Sequence, residues 1–325
     1  VGDVVHLGID ENGLGPRLGP LIVTAVTARV GPRAGEAADP AKHAKAPARP
    51  RGAMSKRLGD SKKLVSHGDT GLGEAWARAI ARRMGAAGTK DPDSLVHAFS
   101  LDSQVDLRAP CPGDHRAQCW DETGEAFVAD EGLVTQVDRD LTRLADKGID
   151  VVRVACVIAC ARRLNEGVDR GHSRFHVDLH AMERLIIEAR DREGSDVVAT
   201  CGKVGGFDKY PPAFGPMNGR LHAVAVEGRA RSEYSIPGVG RVAFVRDADD
   251  KHLLVSMASL VGKWVRDLLM ARVVRYHRAS QPDLPDASGY HDPVTTRFID
   301  ATRLTRKERA LPDACFERRA LDAAT

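Results

Sequence analysis

Two adjacent carboxylates, Asp10 and Glu11, close the apolar run at 4–9 (VVHLGI) and precede a glycine-rich stretch at 12–19. A partly β-branched run that ends in acids places those acids at the end of a strand. Carboxylates there suit Mg2+, a hard cation held by a few acids together with the phosphate oxygens of a substrate. The same residues also read as a surface turn with two solvated acids. A dinucleotide site is disfavoured, because the acids repel a phosphate and the next segment, PLIVTAVTA, is strand-like rather than a phosphate-capping helix. A second acidic group, Asp247, Asp249 and Asp250, stands ahead of a long helical stretch and reads as metal ligands or as a solvated helix cap. Lys203, followed by Val204, Gly205 and Gly206, reads first as a strand-exit turn and second as an anion cradle. The six cysteines, at 111, 119, 156, 160, 201 and 315, contain no CxxC pair. A structural zinc site is therefore not expected.

These groups need a scaffold to position them. The runs 4–9 and 20–28 read as strand, glycine-rich turn, strand, and further strands are expected at 151–160, 196–201, near 221–227 and near 241–246. A helix is expected at 74–84, where Trp76, Ile80 and Met84 are spaced by four. Another is expected at 135–146, with Val137, Leu141 and Leu144 on one face and Gly148 as its stop. Two more follow at 174–192, with Phe175, Leu179, Met182, Ile186 and Ala189 on one stripe, and at 253–276. Residues 30–57 hold Ala, Pro, Gly and basic residues with almost nothing to bury, and read as a disordered insertion. Residues 86–132 read as a loop-rich insertion, and the tail from 282 as turn-rich and basic. Strands first, then strands alternating with helices, indicate a mixed-sheet α/β domain. The chain, 325 residues and 42% hydrophobic, is long enough for a sizeable core. Its formal net charge of +3 permits a nucleic-acid partner without arguing for one. No apolar run approaches the roughly 20 residues of a membrane span, and no signal peptide is visible, so a reduced, cytoplasmic protein without membrane contact is the expectation.

In order along the chain, GIDENGLGPRLGP at 8–20, DSKKL at 60–64, Asp249-Asp250-Lys251 ahead of VSMASLVGKWVRD at 255–267, and Ser288-Gly289-Tyr290 resemble the motifs of the type 2 ribonucleases H. The resemblance covers 4–28, 58–84, 150–202 and 245–320. It implies an α/β fold of ribonuclease H-like type: a mixed central sheet flanked by helices, with a helical, basic C-terminal extension. The corresponding division is a domain at 1–280 with insertions at about 30–57, 86–132 and 204–240, and an extension at 281–325. The implied activity is metal-dependent endonucleolytic cleavage of the RNA strand of an RNA–DNA hybrid, with Mg2+ or Mn2+ as cofactor. Asp10 would bridge two ions, with Glu11 and Asp249 holding one each. Gly13, Leu14 and Gly15 would read the 2′-hydroxyl through their backbone, Ser61, Lys62 and Lys63 would contact phosphates, and Tyr290 would stack on a sugar. Arg303, Arg306, Lys307, Arg309, Arg318 and Arg319 would follow a nucleic-acid backbone or solvate a helix.

Two positions depart from the family. Leu14 replaces the arginine of a Gly-Arg-Gly turn, and Cys201-Gly202 stands where an Asp-Gly pair ends a central strand. Glu227, at the end of the next strand, is the substitute considered for the lost carboxylate. These departures keep a second reading open, a binding protein on the same fold with weakened or lost catalysis. A third, a Holliday-junction or transposase-like nuclease, shares the fold without these motifs.

Overall fold

The computed structural model describes residues 3–31, 39–41, 53–59, 61–66, 68–86, 88–114, 116–205 and 207–319. β1 (Val4–Asn12) turns through the glycine-rich stretch into the antiparallel β2 (Leu21–Val30), and β3 (Ile149–Ala159) pairs antiparallel with the far side of β2. On the other side β4 (Val197–Gly202) runs parallel to β1, and β7 (Gly240–Val245) parallel to β4. The antiparallel strands β6 (Arg231–Ile236) and β5 (Ala223–Val226) complete one sheet in the order β3-β2-β1-β4-β7-β6-β5. β1, β4 and β7 thus bring their carboxyl ends to the same edge, and the residues that follow each strand gather there.

Helices cover both faces. One layer contains α1 (Ser61–Leu64), α2 (Gly71–Arg83), α3 (Pro92–Phe99), α4 (Gln104–Arg108), α5 (Glu131–Asp146) and α8 (Leu253–Arg278). There Trp76, Phe99, Leu141 and Trp264 pack on Ile22, Val26, Val154 and Ile158. The opposite face is covered by α7 (Arg174–Glu193), whose Leu179, Met182 and Ile186 meet Leu7, Ile9, Val23 and Cys201. β2 is buried at nine of ten positions because it lies between these layers, which explains its unbroken apolar sequence. α6 (Ala161–Asp169) leads from β3 into α7, while α9 (Pro293–Glu308) and α10 (Asp313–Phe316) close a third cluster of Leu18, Met270, Val274, Phe298 and Phe316. The mixed central sheet, the flanking helices and the helical C-terminal part are as expected. No helix among the described residues is long and apolar enough to cross a membrane.

Several local expectations need correction. The segment 86–132 is loop-rich as expected, but it carries the short helices α3 and α4 and is packed rather than peripheral. Asp91 caps α3, accepting from the Ser94 amide while the Ser94 side chain accepts from the Asp91 amide, and Leu95, Val96, Phe99, Leu107 and Trp120 from this segment are buried. The disordered reading of 30–57 falls mostly outside the described residues, but its end is packed: Arg57 pairs at 2.6 Å with the fully buried Asp140, and its carbonyl accepts from Trp76 Nε1 at 2.7 Å. β6 and α6 were not expected. In the tail, Arg306 and Arg318 turn inward, Arg306 lying 3.9 Å over the Phe316 ring.

Candidate functional site

Strand alternation decides which side chains meet at the carboxyl edge. Ile9 of β1 pairs with Cys201 of β4, and both enter the core beneath α7. One residue further on the chain faces the other way. A Cβ placed on Gly202 would stand 2.8 Å from Asp10 Oδ1 and 3.3 Å from Glu11 Oε2, so the two acids converge over this glycine. Residue 202, rather than residue 201, is therefore the β4 position that faces Asp10 and Glu11. Cys201 is fully buried, and burial pushes its thiol up. Two hard oxygen donors beside a residue without a side chain fit Mg2+ or Mn2+, ions that complete their shells with water and phosphate. Among the described residues, no three His, Cys, Asp or Glu side chains are gathered as a group able to hold a metal ion. Asp249 comes to the same edge on the single turn Ala248–Asp250 that follows β7, with Ser256 Oγ donating to its carbonyl.

The glycine-rich loop beside the acids is held from behind. Gly13 has φ of 91°, and a Cβ there would lie 2.7 Å from Arg266 Nε, so glycine is required for both conformation and space. The buried Arg318 guanidinium donates to Gly19 O at 2.8 and 2.6 Å and to Gly13 O, fixing both ends of the loop. The Arg17 and Leu18 amides donate to Gly289 O at 2.8 and 3.1 Å. That contact docks the turn carrying Tyr290, whose half-exposed ring lies 4.5 Å from the Arg266 guanidinium. Arg266 is itself aimed by Asp267, which also accepts from Lys263 at 2.6 Å, so the charged residues of 263–267 form one network. Leu14 is half-buried against the α7-side core, whereas Gly15 faces open space.

Other expected site residues are engaged elsewhere. Ser61 is buried, and its hydroxyl shares a 2.9 Å hydrogen bond with Ser259 of α8, so it anchors α1 rather than offering itself to a phosphate. Lys62 and Lys63 follow it in α1, with side chains outside the described set. Lys203 Nζ donates to Gly228 O at 2.7 Å and pairs with Asp208 at 3.2 Å, tying β4 to the turn before β6. Glu227 accepts from Tyr234 Oη at 2.9 Å next to β5, four strands from β1. Its carboxylate is thus engaged by Tyr234 of β6, not placed over Gly202 with Asp10 and Glu11.

Two buried acids escaped the sequence reading as part of this region. Asp178 on α7 is fully buried, with neither carboxylate oxygen hydrogen-bonded. Burial and then the nearby Asp10 charge push its carboxyl well above the ordinary range. Its position between Phe175 and Leu179, on the apolar stripe, was the available signal. Glu183, one turn beyond, is pushed up to about 7 by burial, against the pull of amide donors from Met217 and Gly215.

No protein-family model matches the chain, and no curated protein matches it in sequence. The chain is similar to solved structures that include the following three. The ribonuclease HII of Archaeoglobus fulgidus, solved in a complex with PCNA, is 16% identical with a TM-score of 0.46, over 99% of this chain and 97% of that one. Bst-RNase HIII in complex with Mn2+ is 11% identical with a TM-score of 0.44, over 98% and 67%. The ribonuclease H2 of Pyrococcus horikoshii OT3 is 15% identical with a TM-score of 0.43, over 96% and 92%.

Proposed function

We propose that the chain is a ribonuclease H-like, metal-dependent endonuclease that cleaves the RNA strand of RNA–DNA hybrids. The observation that carries this reading is the convergence of Asp10 and Glu11 over Gly202, beside a glycine loop locked to the Tyr290 turn. Asp10 and Glu11 would hold the ion, with Asp249 contributing from the turn after β7. Bound Mg2+ or Mn2+ would supply an activated water and charge neutralisation at the leaving 3′-oxygen. The Gly15 backbone, with nothing near its Cα, would meet a sugar edge without a side chain in the way, and the Tyr290 ring, steadied by Arg266, would offer a stacking face. Recognition would follow the shape of the hybrid and its 2′-hydroxyls rather than base sequence.

Cleavage of a hybrid duplex in Mg2+ or Mn2+ is expected, and its loss in Asp10→Asn with hybrid binding retained. Equal cleavage by wild type and Asp10→Asn sinks the reading. The binding-protein alternative is favoured by one observation, that β4 ends in Cys201-Gly202 and gives the site no acid. Tight hybrid binding without cleavage in either ion selects it.

A further inference from the structure

Beside the acidic edge, β4, β7 and β6 leave a cavity of about 380 Å³ at the start of α8. It adjoins the acids without including them. Gly202, the residue beneath Asp10 and Glu11, pairs with Val245 of β7, and Val245 pairs in turn with Arg231 of β6. Val245 and Arg231 line the cavity, as do Thr200, two residues before Gly202 on the same face of β4, and Ala248, next to Asp249. His6, Val198 and Arg241 add a second row across β1, β4 and β7.

The lining is rich in donors and positive charge. Arg231, Arg241 and Lys251 bring three cations, against which Asp39 brings one acid. Two of the cations are shared, Arg231 with Glu233 at 2.6 Å and Lys251 with Asp247 at 3.3 Å. Among the described residues, no side-chain hydrogen bond or ion pair engages Arg241 or Thr200. The 26-residue α8 begins at this cavity, and His252 at its N-cap makes no side-chain capping bond, so the positive end of the helix dipole adds to the same field. The His252 ring lines the cavity while only 6% exposed, and its Nδ1 is buried with no hydrogen-bond partner. Buried polar atoms are ordinarily partnered. Burial and then His6 lower the His252 imidazole to about 4, with Arg231 adding to the shift against the pull of Asp39. His6 is lowered by burial and then by Arg241. Like charge thus presses on both imidazoles, and an anion relieves it. Core packing gives no reason to gather two guanidiniums, an ammonium and a buried imidazole around one space.

We propose that this cavity is a binding site for a phosphate group. Thr200 and Arg241 would donate to its oxygens from the sheet, and His252 from the head of α8. Arg231 would donate through Nη1, since Glu233 takes only its Nε and Nη2. An uncharged sugar or base would leave these cations uncompensated, whereas a phosphate supplies both the charge and acceptor oxygens on several sides. Two sources share that chemistry. One is a backbone phosphate of a strand laid along the acidic edge, a source that rests on the proposed nuclease reading. The other is free phosphate, which does not.

The test titrates inorganic phosphate into the full chain by calorimetry, without divalent ions and at an ionic strength held constant with chloride, because phosphate contacts are salt-dependent. One saturable site per chain is expected, with the side-chain 15N resonances of His252 and His6 moving as it fills. Arg241→Ser should weaken binding at least about tenfold, the loss of a charge-assisted hydrogen bond. Arg246→Ser removes the same charge from an exposed arginine outside the cavity lining, and should change affinity by less than about twofold. The resonance shifts are read in the wild type, so they stand even where a variant misfolds. No saturable phosphate binding, unmoved His252 resonances, or equal binding by wild type and Arg241→Ser would each overturn the proposal. A second arm reads the source. Phosphate that weakens hybrid binding by wild type but not by Arg241→Ser assigns the cavity to a strand phosphate, and hybrid binding untouched by saturating phosphate assigns it to free phosphate. The first arm uses no nucleic acid, so it stands or fails apart from the proposed nuclease activity.

Discussion

Aspartate at position 202 and aspartate at position 201 should behave in opposite ways, and the pair tests the site geometry directly. The Gly202 backbone is outside the positive-φ region, so a side chain is conformationally admissible. Its Cβ would lie 2.8 Å from Asp10 Oδ1 and 3.3 Å from Glu11 Oε2, both flexible side-chain tips that can give way. Gly202→Asp therefore sets a third carboxylate about 4 Å from two others, where each like-charge pair costs up to about 4 kcal/mol at an effective dielectric of 20. Glu11 is partly exposed, which screens its share, so a total near 4 kcal/mol is the working figure. Gly202→Asn has the same shape without the charge and isolates that cost. Without divalent ions, urea denaturation above neutral pH should show Gly202→Asp less stable than Gly202→Asn by several kcal/mol. Saturating Mg2+ should reverse the order, because ligand binding to the folded state adds stability in proportion to the logarithm of affinity. Cys201→Asp instead buries a carboxyl beside Ile9 on the far face, and should be destabilised with no extra response to Mg2+. A larger Mg2+ response from Cys201→Asp, or identical behaviour of Gly202→Asp and Gly202→Asn, would refute the assignment.

Three other perturbations follow from the same structure. Arg318→Met removes a buried fork from Gly13 O and Gly19 O and should cost about 2–4 kcal/mol, with the Mg2+-induced rise in Tm lost. Arg318→Lys should not rescue it, since a single ammonium cannot span both carbonyls. Glu183, at about 7 against 4.5 in the unfolded chain, binds a proton in the folded state that the unfolded state releases, so its contribution declines as pH rises through that window. The full swing is about 3 kcal/mol at most. Glu183→Gln should flatten the stability profile there, and an unchanged slope would remove Glu183 as its source. Arg57→Ala leaves the buried Asp140 with only the solvent-exposed Arg143 and should cost about 3 kcal/mol in chemical denaturation.

What the sequence disclosed and what it hid differ by the range of the information. Asp10 and Glu11 were legible because a strand, two acids and a glycine turn follow one another without interruption. The parity of β4 was not, because the choice between Cys201 and Gly202 is set by the register Ile9 to Cys201, a pairing with a strand nearly 200 residues away. Asp91-Pro92 with Ser94 was a readable helix start, passed over because its neighbours are polar. Asp178 was hidden in plain view: its stripe was recognised as apolar, and an acid on that stripe had to be buried. Arg306 and Arg318 were counted as surface charge, yet one lies over Phe316 and the other holds the glycine loop beside Asp10 from within, since a guanidinium can satisfy carbonyls wherever a turn leaves them unpaired.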